Sequence, residues 1–243
     1  MYGWRGRIGL INAASNTVFE PEVSAILPEG VKSYCTRIAF KPTIAGLKEM
    51  IDHVGEAARL LSAEGICDII IFGCTMGSMI GGPGYDKEII SIIEGVAKVP
   101  AITITTSVLS AFEALGVKRV AIATPYTKDI GEAERRILIE SGYEVTGIKN
   151  YHEDVSPEEF TNEMIGRLAP TIAYRLAREV DNDRAQAIFI SCANLRAVEV
   201  IDLLERDTGK PVITSNQASA WLALRRIGIR DSIKGFGRIL ESY

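Results

Sequence analysis

Two of the four cysteines stand at matched places in the chain. Cys74 closes the apolar run Ile70-Ile71-Phe72-Gly73, Cys192 closes Phe189-Ile190-Ser191, and each precedes residues expected to open a helix. A thiol at the carboxyl end of a buried strand, beside the N–H groups and positive dipole end of a following helix, has surroundings that lower its pKa and favour the thiolate. The same N–H groups suit a bound carboxylate. One architecture therefore supplies a nucleophile or base together with an anion cradle, and the chain holds it twice. Cys35 and Cys67 lack such a match and are expected to be structural, as small buried hydrophobes.

Short polar residues fall at neighbouring strand ends. Ser15-Asn16-Thr17 follows the run Ile8 to Ile11, and Pro125-Tyr126-Thr127 follows Arg119 to Ala123. Hydroxyls, an amide and a phenol can hold carboxylate oxygens without adding charge to a pocket, although the same residue types also make turns and caps. Histidine offers little beside them. His53 falls in a helical pattern and His152 in a charged loop, and both are expected to face solvent, so acid–base work is not expected from a Ser-His-Asp triad. Gly81-Gly82-Pro83-Gly84 matches neither the phosphate-binding nor the dinucleotide-binding glycine pattern. It is expected to be a plain loop, with a lid over the cleft as the alternative.

The elements that must position these residues alternate strictly. Strands are expected at residues 8–11, 32–38, 68–72, 101–104, 119–123, 144–148, 187–191 and 212–214. Between them, apolar residues recur at spacings of three and four, as in Ile44, Leu47, Ile51, Val54, Ala58 and Leu61, the stripe of an amphipathic helix. Ser156-Pro157-Glu158-Glu159 reads as a capping box that opens a long helix kinked or interrupted at Pro170. Further helices are expected near 86–97, 107–115, 128–141, after Asn194 to about Asp207, and 216–227. Strict β/α alternation is an α/β protein with parallel sheets. Arg7-Ile8-Gly9-Leu10-Ile11 parallels Arg119-Val120-Ala121-Ile122-Ala123, and the Pro-led strands at Pro100 and Pro211 also correspond, so the two halves are expected to be a duplication. If they face each other across a pseudo-twofold axis, both thiols converge on one cleft, at strand ends where open α/β sheets bind ligands.

Composition narrows the ligand. The 243 residues carry 27 Lys+Arg against 31 Asp+Glu, a net charge of −4, and 47% are hydrophobic. That supplies a full core without disulfides, while the absence of a basic cluster argues against nucleic acid or an anionic membrane as partner. No C-x-x-C pair favours zinc, and no apolar stretch reaches the roughly 20 residues that span a bilayer. No signal-peptide pattern opens the sequence. The expectation is a cytoplasmic protein without metal or cofactor, acting on a small polar metabolite.

Taken together, Cys74 and Cys192, Ser15-Asn16-Thr17 followed by Glu20, Gly81-Gly82-Pro83-Gly84, Thr124-Pro125-Tyr126, Ile190-Ser191-Cys192 and Gly235-Phe236-Gly237-Arg238-Ile239-Leu240 resemble the aspartate/glutamate racemase superfamily, in its branch of maleate cis-trans isomerases and arylmalonate decarboxylases. The resemblance covers nearly the whole chain. It implies two similar Rossmann-like α/β domains, residues 1–105 with 216–243 and residues 106–215, enclosing a cofactor-free site, and it implies a homo-oligomer. Carried over, Cys74 is the nucleophile or first base and Cys192 the partner acid. Asn16, Thr75, Met76, Tyr126, Ala193 and Asn194 bind the substrate. The decarboxylase has glycine where this chain has Cys74 and serine where it has Met76. The isomerases have an asparagine in the segment matching His152 to Ser156, where this chain has none.

Three readings follow. The first is a cofactor-independent isomerase of a small dicarboxylate, with maleate the leading candidate. The second is a racemase of an amino acid or hydantoin, or a decarboxylase of a substituted malonate. The third is a carboxylate-binding protein that keeps the fold without catalysis.

Overall fold

The computed structural model describes residues 2–41, 43–156 and 158–243. The first half runs β1 (Gly6–Ala13), α1 (Phe19–Ile26), β2 (Val31–Ile38), α2 (Ile44–Glu49), α3 (Ile51–Ser62), β3 (Ile69–Gly73), α4 (Thr75–Met79), α5 (Tyr85–Ala97), β4 (Ala101–Thr103) and α6 (Ile104–Ala114). The second runs β5 (Arg119–Thr124), α7 (Lys128–Glu140), β6 (Glu144–Asn150), α8 (Asn162–Gly166), α9 (Pro170–Val180), β7 (Ala187–Ile190), α10 (Ile201–Thr208), β8 (Val212–Thr214), α11 (Ser215–Arg226) and α12 (Arg238–Ser242). Each half forms a four-stranded parallel sheet, in the order β2-β1-β3-β4 and β6-β5-β7-β8. The identical order is the duplication that the paired sequence runs announce.

Burial explains the composition of the central strands. Ile69, Ile70, Ile71 and Phe72 are all fully enclosed, as are Val120 to Ala123 in the other sheet, because helices cover both faces of each sheet. The helices that follow the last strand of each half change sides. Thr103 caps α6 by accepting from the Thr106 N–H, and Thr214 caps α11 in a reciprocal capping box with Gln217. Phe112 of α6 then packs edge-on against Phe189 of β7, ring centroids 5.8 Å apart, whereas α11 packs on α1, β3 and β4. The two helices also lie against each other, so this crossed pair forms the spine between the sheets.

Several local expectations shift. The helical stripe of residues 44–61 is two helices, broken at Met50. The capping box includes Pro157, which lies outside the described residues; Ser156 Oγ and Glu159 bond side chain to side chain, and the next helix starts at Asn162 with Thr161 as its cap. Pro170 takes the first position of α9, so the expected long helix is interrupted there. No α-helix directly follows Cys192: a turn and a short 3-10 segment at Val198–Val200 precede α10. The expectation of a helix N-terminus beside that thiol is therefore corrected. His152 is also corrected, being 7% exposed rather than solvent-facing, and its Nδ1–H donates to the Pro125 carbonyl at 2.5 Å. His53 is exposed, as expected.

Two glycines test this packing with opposite signs. A Cβ on Gly73 would lie 2.2 Å from the enclosed Phe19 ring, whereas one on Gly95, exposed in the last turn of α5, meets nothing within 4 Å. Gly73→Ala should destabilise the fold by about 1–3 kcal/mol through overpacking, and Gly95→Ala should stabilise it by about 0.5–1 kcal/mol through helix propensity. Urea unfolding midpoints of the two variants check both signs.

Candidate active site

Both strand-end cysteines face one narrow cavity of about 30 Å³ between the halves, lined mainly by apolar side chains with a few polar groups, as small-molecule sites are. Asn16, Thr75, Met76, Tyr126, Ala193 and Asn194 line it with them, so every residue expected from sequence is brought together. Gly81 and Gly82 are not in its wall; they border a separate groove between α2 and α7. Sequence reasoning missed the apolar side of the cavity, made by Phe40, Leu47, Ile130, Phe160 and Ile165. It also missed Asn162, which lies beyond the His152–Ser156 segment where an asparagine was sought. The signal for Asn162 was Thr161, an N-cap residue immediately before it.

Local geometry makes the two cysteines unlike. Cys74 is extended, with φ −133°, and stands as the cap residue of α4, its thiol near the Gly77 N–H. Cys192 has φ +94°, a conformation that strains any residue with a Cβ. What holds it there is a set of hydrogen bonds crossing between the halves. The Cys192 N–H donates to Ser215 Oγ at 3.2 Å, the Ala193 N–H donates to Thr75 Oγ1 at 3.1 Å, and the Thr75 hydroxyl donates to Ser215 Oγ at 3.0 Å. The Asn194 N–H points at the Cys192 sulfur, 3.4 Å away.

The asparagines divide between clamping and binding. Asn194 Oδ1 accepts from the Thr17 N–H at 2.9 Å and its Nδ2 donates to the Asn162 carbonyl at 2.7 Å, so its amide ties the halves together. Asn16 Oδ1 accepts from the N–H groups of Val18 and Phe19 and holds the start of α1. That fixes the Asn16 amide with its NH2 as the remaining polar group. A buried carboxylate completes the clamp. Glu22 of α1 accepts from the Ala197 and Val198 N–H groups at 2.7 and 3.2 Å and from Asn216 Nδ2 at 2.7 Å. Asn216 in turn donates to the Ala193 carbonyl at 3.1 Å.

Electrostatics overturns the expectation of low thiol pKa values. Burial pushes Cys74 up to about 12 against the Gly77 N–H, and a charge on Cys192 would raise it further. Burial likewise pushes Cys192 up to about 11, although the Tyr126 hydroxyl and the Asn194 and Leu195 N–H groups favour its thiolate. Desolvation outweighs the donors, so both thiols are protonated at neutral pH before a ligand enters. Tyr126 is raised well above its ordinary value by the same burial. Cys67 is core and Cys35 half-buried, both raised by burial and outside the cavity wall, which fits the structural role expected of them.

A duplicated α/β fold that closes two strand-end thiols and several neutral donors into one cavity defines a class of enzymes that work by cysteine acid–base or nucleophilic chemistry. The chain belongs to the arylmalonate decarboxylase family, whose model matches residues 8–240. It is 22% identical to a maleate isomerase of Geobacillus stearothermophilus over 249 aligned residues, covering 97% of each. The crystal structure of the maleate isomerase from Pseudomonas putida S16 superposes with a TM-score of 0.90, at 25% identity and covering 98% of both chains. A mutant of the Nocardia farcinica maleate cis-trans isomerase, solved with a covalently bound succinylcysteine intermediate, has a TM-score of 0.89 at 23% identity, covering 98% of this chain and 99% of that one. Among the described residues, no helix is long and apolar enough to cross a membrane.

The Thr75 hydroxyl is the joint of the crossing network, and its removal has a definite cost. Thr75→Val leaves the enclosed Ala193 N–H without an acceptor and should destabilise the protein by about 1–3 kcal/mol. Thr75→Ser, which keeps the oxygen, should recover most of that in chemical denaturation.

Proposed function

We propose that the protein is a cofactor-independent cis-trans isomerase of a small dicarboxylate, with maleate as substrate and fumarate as product. The observation that carries this reading is the pair of thiols in one neutral, largely apolar cavity, one from each half. The maleate isomerases among its relatives, and the succinylcysteine that one of them carries, support it.

In this reading Cys74 is the nucleophile. Its proton passes to a substrate carboxylate as its sulfur bonds to one alkene carbon, the π electrons move to the neighbouring carbon, and Cys192 delivers a proton there; the carboxylate hands the first proton back when the Cys74 sulfur departs. The central bond of the resulting succinyl thioether is single and can rotate. Return of the same proton to Cys192 restores the double bond as the Cys74 sulfur departs, giving the trans isomer. The Gly77 N–H holds the Cys74 thiolate when it forms, and Tyr126 with the Asn194 and Leu195 N–H groups holds that of Cys192. Donors fixed in place before the reaction need no reorganisation as charge develops.

Substrate carboxylates are assigned to the Asn16 NH2, the Tyr126 hydroxyl, and the Thr75 and Met76 N–H groups in the first turn of α4, which have no acceptor within the helix. Ala193 and Asn194 contribute the turn that shapes the other end of the cavity, and Asn162 adds an amide beside it. The catalytic unit is divided as residues 1–105 with 216–243 and residues 106–215, one thiol in each. The substrate is the only small-molecule partner required.

Maleate followed by proton NMR in deuterium oxide tests the reading. Fumarate should appear with the wild-type protein, Cys74→Ala should lose at least a thousandfold in rate, and Cys35→Ala should turn over normally. Unimpaired isomerisation by Cys74→Ala would overturn the mechanism, and carbon dioxide release from phenylmalonate without any fumarate from maleate would favour the decarboxylase reading instead.

A further inference from the structure

The cavity wall contains no Lys, Arg or His, yet the proposed substrate brings two negative charges into it. One buried side chain just behind the wall has no task in the mechanism above. Glu134 of α7 is fully enclosed, and the Ser191 hydroxyl donates to its Oε1. Its Oε2 is buried with no partner among the described residues, and so is the hydroxyl of Thr124, the other side chain beside it.

Strand pairing sets where this carboxyl lies. β5 and β7 are neighbours, with the Ser191 N–H donating to the Ala123 carbonyl at 2.9 Å, so the two strands end side by side. Ser191 immediately precedes Cys192, and Thr124 stands two residues before Tyr126. Glu134 thus sits against the roots of both groups on the acid side of the site, and its charge raises the pKa of each.

Among the described residues, no opposite charge answers it. On α7 itself Arg135 pairs with Glu132 at the surface, and Lys128, Asp129, Arg136 and Glu140 are exposed. On β6, Lys149 reaches outward to Glu179 of α9, which also meets Arg175. Arg178 of α9 turns to Asp207 of α10. α4, which also packs against α7, carries no titratable side chain, with Cys74 preceding it across the cavity, and Lys48 of α2, across the groove from α7, is exposed. Burial accordingly pushes Glu134 up to about 7, against the Ser191 and Thr124 hydroxyls, which favour its ionised form. Glu22 is raised to about 7 as well, but its two oxygens already accept three N–H bonds, and a proton there would break the clamp on the Ala197–Val198 turn. Glu134 has an oxygen free and a hydroxyl beside it.

We propose that Glu134 couples proton uptake to substrate binding: a dicarboxylate entering the uncharged cavity draws one proton from solvent onto the free oxygen of this side chain. The inference rests on the dicarboxylate reading above. In its ionised form Glu134 opposes both the incoming dianion and the charge that develops on Cys192. Once protonated it opposes neither, and its proton can bridge to Thr124. By linkage, affinity is greatest below the pKa of free Glu134 and weakens as pH rises through it, towards tenfold per pH unit for a single coupled proton.

Isothermal titration calorimetry of maleate into the non-reactive Cys74→Ala protein, at about pH 7.5 in two buffers of different ionisation enthalpy, reads the proton directly. Uptake should be substantial in Cys74→Ala, should persist when Glu22→Gln is added, and should vanish when Glu134→Gln is added. Ser191→Ala removes the hydroxyl that favours the carboxylate, so the pH at which affinity begins to fall should move upward; this reports on the coupling even where Glu134→Gln does not fold. Uptake that survives Glu134→Gln, or tight binding without uptake at any pH from about 6 to 9, overturns the proposal and leaves the dicarboxylate reading standing. Absence of maleate binding overturns that reading and this one with it.

Discussion

A single threonine hydroxyl carries the junction between the halves. Thr75 Oγ1 accepts from the Ala193 backbone and donates to Ser215, which itself accepts from the Cys192 N–H. Thr75 follows one cavity cysteine, Ala193 follows the other, and Ser215 opens the helix that returns from the second sheet to the first. The pair of thiols is therefore positioned by the junction itself, and a shift of one half against the other moves both at once. Asn194 and Glu22 reinforce the joint from either side, tying the Cys192 turn to Thr17, Asn162 and α1. Such over-determination is what holds a non-glycine residue at φ +94°.

The cavity trades thiolate stability for control of charge. Enclosure raises both thiols and Tyr126 together, so the resting site is neutral apart from what the two buried glutamates hold. A basic side chain would bind a dicarboxylate more strongly in the ground state, but it would also stabilise the carboxylate on which electron density must be moved about. Fixed N–H and O–H donors give a weaker and more directional field, suited to charge that appears and disappears within one catalytic cycle.

Much of this was legible in the chain because it is local. The end of a buried strand is marked by its own residues, so Cys74, Asn16 and Tyr126 could be placed near a cleft, and the repeated strand pattern brought Cys192 to the same place. What stayed hidden depends on partners distant in sequence. His152 is held by the carbonyl of Pro125, 27 residues earlier, and nothing in its own charged surroundings reports this. Phe40, Leu47, Phe160 and Ile165 come from a strand exit, two short helices and the loop before α8, and as sequence they resemble any core residue. The thiol pKa values were misjudged for the same reason: a following helix can be read from sequence, whereas the closing of a second half over the sulfur cannot.

The crossed helices impose an order on synthesis. α11 packs on α1, β3 and β4, yet it is made only after the whole of the second sheet. As the chain leaves the ribosome, the first sheet waits with one apolar flank bare while more than a hundred further residues emerge. Neither half is then a self-sufficient folding unit, and the sites on which the chemistry depends come into being late and together. A nascent chain interrupted before α11 would carry every strand of both sheets and one complete thiol-bearing loop in each, but no joint to bring them face to face.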